Sequence, residues 1–71
     1  MNISELILYR IETDKVFRRE LAVKIDLSER QVQNLVENHR QGKSVRLRDS
    51  FAVDFYKSKG YNKKDIFSTS N

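Results

Sequence analysis

The sequence contains no cysteine, so neither a disulfide nor a thiolate metal site can staple the fold. It contains no proline and only two glycines, Gly42 and Gly60, leaving few points of enforced chain reversal. Its one histidine, His39, has no partner at zinc-ligand or catalytic spacing. No apolar run approaches the roughly 18 residues that would span a bilayer, and the first residues lack the basic-then-apolar pattern of a secretory leader. No glycine-rich phosphate loop occurs. Asp49 and Asp54 are five apart, off a shared helical face, and Ser28 has no histidine nearby to activate it. These absences argue against catalysis, a cofactor, a metal or a membrane, and make the cytoplasm the expected compartment.

What is present is charge. Of 71 residues, 34% are charged and 38% hydrophobic, with a net charge of +4. A chain this short is one domain, and a domain of that size buries only about 60% of its unfolded surface. The basic balance favours polyanionic partners, nucleic acid first among them.

Hydrophobic periodicity predicts an all-α, compact bundle of five short helices over residues 1–67, followed by a frayed tail, 68–71. Residues 2–12 form the first helix, capped by Asn2 or Ser4, with Ile3, Leu6, Ile7 and Ile11 on its inner stripe. Asp14 caps a second helix that buries Val16, Phe17, Leu21, Ala22 and Ile25 and stops at Asp26. Ser28 caps a third, its hydroxyl placed for the Gln31 amide, with Leu27 and Val32 spaced as a hydrophobic staple. That helix turns Val32, Leu35 and Val36 inward and fades at Asn38, leaving "HRQGK" as a loop. A fourth begins near Ser44 and buries Leu47, Phe51, Ala52, Phe55 and Tyr56. Gly60 ends it as a left-handed cap, and Asn62 starts a last turn that tucks Ile66 and Phe67 onto the core. Tyr9, Tyr56 and Tyr61 are expected to be half-buried packing residues.

The most informative stretch is "RRELAVKIDLSERQVQNLV": a helix, a tight turn and a second helix. Small Ala22 lets the two axes approach, and Leu27, Val32 and Leu35 close the wedge. Such a wedge can present the start of the second helix to a major groove. There arginine pairs with guanine, glutamine and asparagine with adenine, and glutamate accepts from cytosine. Residues 29–34 hold all four types, although a solvated helix face would be polar too. Cations that can reach phosphate flank the helix: Arg18 and Arg19 before it, then His39, Arg40, Lys43, Arg46 and Arg48. Residues 39–48 hold four Lys/Arg and no acid. Lys57, Lys59, Lys63 and Lys64 read as solubilising charge or a remote phosphate patch.

"FRRELAVKIDLSERQVQNLV" resembles the helix-turn-helix of the lambda-repressor-like (Cro/repressor, XRE-type) DNA-binding family. Leu21 and Ala22 match its Leu-Ala ahead of the turn, Leu27 and Ser28 its apolar-Ser start, and Val32 and Leu35 its inner positions. "SKGYNKKDIF" is similar to the family's closing segment, so the resemblance runs from about Ile3 to Phe67. It departs in the turn, where Asp26 stands in place of the usual glycine, and at Arg18, where the family commonly has a glutamine that bonds phosphate and braces the reading helix. Arg18 can instead pair with Glu29. The resemblance implies base-reading positions at Glu29, Arg30, Gln33 and Asn34, with Gln31 near the phosphate backbone. It implies a Cro-like, phage-like repressor of transcription that binds double-stranded DNA as a dimer, with Phe55, Tyr56 and Phe67 the first candidates for the dimer surface. The alternative is an antirepressor or antitoxin that grips a partner repressor or toxin through the same helix; a small excisionase-like architectural role is a third reading.

Overall fold

The computed structural model describes residues 3–44 and 46–67, so Asn2 as a cap and the tail 68–71 lie outside the described residues. Among these residues the chain forms five α-helices and one 3-10 turn. The helices are α1 (Glu5–Thr13), α2 (Lys15–Lys24), α3 (Glu29–Arg40), α4 (Ser50–Ser58) and α5 (Lys63–Ile66); the 3-10 turn, Arg46–Arg48, precedes α4. The only strand-like pairing among them is an isolated antiparallel bridge between Ile3 and Phe67, beside which the Ser4 amide donates to the Ile66 carbonyl at 2.8 Å.

Each helix starts on a short polar side chain that accepts from a first-turn amide. Ser4 serves Ile7, Asp14 serves Phe17, Ser28 serves Gln31, Asp49 serves Ala52 and Asn62 serves Asp65. Asp14 acts twice: its own amide donates to the Arg10 carbonyl and ends α1, while its carboxylate starts α2. The Phe17 amide, then the Arg10 guanidinium at 2.9 Å, hold that carboxyl below the usual carboxylate range.

Helices α2, α3 and α4 end by one device. A left-handed residue follows each: Asp26 (φ 59°), Gly42 (φ 74°) and Gly60 (φ 96°). The next amide then reaches back five residues, Leu27 to Ala22 at 2.8 Å, Lys43 to Asn38 at 2.8 Å and Tyr61 to Tyr56 at 3.2 Å. These bonds satisfy carbonyls that a helix end leaves orphaned.

The core gathers around Phe17. Its ring meets Phe55 edge-on at 5.1 Å, lies parallel to Tyr56 at 6.3 Å and meets Tyr61 at 6.2 Å, with the Arg10 guanidinium 4.7 Å above it. Tyr56 is fully buried, and its hydroxyl donates to the Leu47 carbonyl at 2.9 Å. Ile3 ahead of α1 closes the core with Ile7, Leu8 and Ile11 from α1, Val32 and Val36 from α3, and Ile66 from α5.

Several expected positions differ. Leu6 is 54% exposed and Leu8 is buried in its stead. The two flank Ile7 by about 100° on either side, so spacing treats them alike and packing selects one. Val16 and Phe51 also face out. The fourth helix begins at Ser50, not near Ser44, because Asp49 caps it and the chain before it is tied into the 3-10 turn. Phe51 therefore sits in a first turn whose phase is set by Ala52, Phe55 and Tyr56. Tyr9 is exposed, not half-buried. Phe55 and Tyr56 are core residues and Phe67 is half-buried against the core, so they do not form an open dimer face.

Asp26 is the one side-chain-bearing residue at positive φ among those described. The left-handed conformation costs non-glycine residues energy, so Asp26→Gly is expected to stabilise the fold by roughly 0.5–1 kcal/mol. Urea denaturation of the two proteins measures this; an unchanged or lowered midpoint would mean that the Asp26 side chain contributes more than its backbone strain costs.

Candidate nucleic-acid interface

The turn between α2 and α3 is held from two sides. On one side is Arg18, 7% exposed, whose Nη1 donates to the Ile11 and Glu12 carbonyls at 3.1 and 3.0 Å. Its Nε lies 3.6 Å from Glu29 Oε1, an ionic contact too long for a hydrogen bond, and has no hydrogen-bond partner. Arg19 approaches the other oxygen of Glu29 at 3.5 Å. One arginine on α2 thus joins the end of α1 to the start of α3. On the other side, Arg46 of the 3-10 turn donates to the Ile25 carbonyl at 3.1 Å, against the end of α2. Arg46 also lies 3.7 Å from Asp49.

The start of α3 is a reciprocal cap. The Ser28 hydroxyl accepts from the Gln31 amide at 3.1 Å, and the Gln31 side-chain carbonyl accepts from the Ser28 amide at 2.9 Å. This second half of the pair was not among the expectations, although Ser followed three residues later by Gln is its sequence mark. Gln31 therefore keeps only its side-chain NH2 for outside contacts.

Val32, Val36 and His39 set the buried side of α3. At 100° per residue, Arg30, Asn34 and Glu37 lie on the opposite side. All three are exposed, as is Gln33 on the shoulder nearer α1. Gln33 lines a shallow cleft of about 240 Å³ with Ile11, Glu12 and Val36. Among the described residues, the side chains of Arg30, Gln33 and Asn34 have no hydrogen-bonded or ionic partner. Glu37 accepts from the Gln41 side chain at 3.0 Å, one turn further along.

The remaining candidates divide by what already holds them. Glu29 spans Arg18 and Arg19 and is a brace, not a free acceptor for a base. Arg18 is buried against carbonyls, which removes it from the surface set. Of the two readings of His39, loop or helix-end residue, the structure gives the second: α3 continues through Arg40, the histidine is 3% exposed, and its Nε2 accepts from the Ile3 amide at 3.1 Å. Arg40 is bound to Glu5 and Glu12 of α1 at 2.9 and 2.8 Å, so its charge is neutralised within the fold. Those carboxylates hold its pKa above the ordinary value, and Arg40 in turn holds that of Glu12 down. Exposed cations near α3 are Arg30, Lys43 and Arg19, with Arg46 half-exposed on its two partners.

The buried histidine had a signal in the sequence. Val32, Val36 and His39 continue the four-and-three spacing of the inner stripe, and Gly42 is the left-handed residue that ends the helix. Both place the end of the helix beyond Asn38.

Removing the Arg18 guanidinium while keeping most of its bulk isolates its role. Arg18→Met is expected to lower stability by about 1.5–3 kcal/mol, the range for hydrogen bonds from a charged donor, measured by thermal or urea denaturation. A loss under a few tenths of that would mean solvent replaces it at the α1 carbonyls.

No family model, curated protein or solved structure matches this chain.

Proposed function

We propose that the chain is a sequence-specific double-stranded-DNA-binding regulator that inserts the first half of α3 into the major groove. The observation that carries this reading is the outer face of α3. Arg30, Gln33 and Asn34 are exposed and unpartnered on a helix whose start is fixed by the Ser28–Gln31 cap and the Arg18–Glu29 contact. Arginine offers two donors to guanine, and asparagine or glutamine a donor and an acceptor to adenine. Twelve residues of α3 make a rod about 18 Å long, and the major groove admits an α-helix. Arg19, Lys43 and Arg46 flank it as phosphate contacts, with the Gln31 NH2 beside them. Glu29 and Arg40 serve the fold in this reading and read nothing.

A small regulator of this kind acts by occupancy, as the lambda-repressor-like proteins it resembles do, and two copies on a palindromic site supply the affinity one copy lacks. The rival reading is a protein-gripping antirepressor or antitoxin. It draws support from Glu37, which extends the same outer face with a charge that phosphate repels.

Selection of bound duplexes from a random pool separates the two. A DNA reader enriches a defined site and loses affinity with salt at a slope of about −0.9 per phosphate contact; a protein-gripping module enriches nothing. On the selected site, Arg30→Ala is expected to cost about 1–3 kcal/mol and relax preference at one base pair. Arg40→Ala is expected to lower stability and leave base preference intact. Unchanged affinity and preference in Arg30→Ala would remove α3 as the reading element.

A further inference from the structure

His39 is the one buried histidine of the fold, and nothing in the proposed DNA contact uses it. It leaves α3 on the inner side and meets the place where Ile3 pairs with Phe67. Its Nε2 accepts from the Ile3 amide at 3.1 Å. Ile3 forms the antiparallel bridge with Phe67, the Ser4 amide donates to Ile66, and the Ser4 hydroxyl donates to the Asp65 carbonyl. One imidazole nitrogen thus fastens the paired Ile3–Ser4 and Asp65–Phe67 segments to the last turn of the third helix. We propose that His39 is an acid-released latch: protonation at Nε2 ejects the Ile3 amide and loosens the Ile3–Phe67 pairing from α3.

The chemistry requires the exchange. An imidazole nitrogen that accepts a hydrogen bond carries no proton. Once protonated it is a donor, and it then faces an amide that is also a donor. Nδ1, also buried, makes no close hydrogen bond, and it already carries the ring's proton in the neutral form, so the second proton must enter at Nε2. Burial is the main effect that pushes the imidazole below its ordinary value; Arg48 of the 3-10 turn adds to it, while the Ser44 backbone and Glu5 of α1 oppose it. Since the folded value lies below the unfolded one, the unfolded or opened chain binds the extra proton. The latch therefore holds fully above the ordinary histidine range, near pH 6.5, and weakens as pH falls from there towards the folded value. Each unit of depression corresponds to a tenfold weakening once the ring is charged. Glu12 and Asp14, the carboxyls held low, titrate below that window.

NMR on the intact chain tests this without a variant. At pH 7.5 the ring nitrogens should report Nδ1–H with Nε2 bare. Between pH 7 and 5, the protection factors of the Ile3 and Ser4 amides should fall together, following the His39 ring signal, while amides of α2 keep theirs. His39→Gln supplies a side-chain carbonyl acceptor that does not titrate, and it should make Ile3 and Ser4 protection flat over that range. An Nε2–H tautomer at neutral pH would overturn the proposal. So would Ile3 protection that ignores the ring titration and falls only with the carboxyls. A glutamine variant with the same pH profile as the parent would overturn it as well.

Discussion

The fold depends most on one buried guanidinium. A three-helix junction leaves carbonyls at the end of α1 that water cannot reach easily. Arg18 meets two of them and still points its Nε at Glu29, the first residue of α3. A lysine could place one charge there but not a planar fork that serves two directions at once. The angle at which α3 leaves the turn is thus tied to α1, which it does not follow in sequence. Arg46 adds a second tie on the opposite side through the Ile25 carbonyl. Between them lies Asp26, whose left-handed backbone is the sharpest bend of the turn.

Much of the basic charge turns out to be internal mortar. Arg10 meets Asp14, Arg18 and Arg19 share Glu29, Arg40 sits between Glu5 and Glu12, Arg46 meets Asp49, and Lys59 meets Glu20. A small all-helical domain with no disulfide needs such ties, though exposed pairs contribute little each. On the outer side of α3, by contrast, Arg30, Gln33 and Asn34 have no such tie among the described residues.

What could be read from the sequence was local. Asp14, Ser28 and Asn62 as helix starts, Gly60 as a left-handed stop and Asp26 as a left-handed turn residue all follow from bonds made within a few residues. The inner stripes of α2 and α3 were legible through Phe17, Leu21, Val32 and Val36 for the same reason. What could not be read depends on partners distant in the chain. Leu6 and Leu8 are equivalent until neighbouring helices dock. Arg40 looked like a loop cation because Glu5 and Glu12 come together beside it only in the fold. Arg18 is the middle case: its pairing with Glu29 was foreseeable across the turn, but its hold on the α1 carbonyls was not.

The Ile3–Phe67 bridge lies beside the last turn of α3, whereas Arg30 stands near its first. Nine residues of helix put about 13 Å between those places. A disturbance of that bridge can therefore reach the first turn of α3 only along the length of the helix, which separates the strain of one from the geometry of the other.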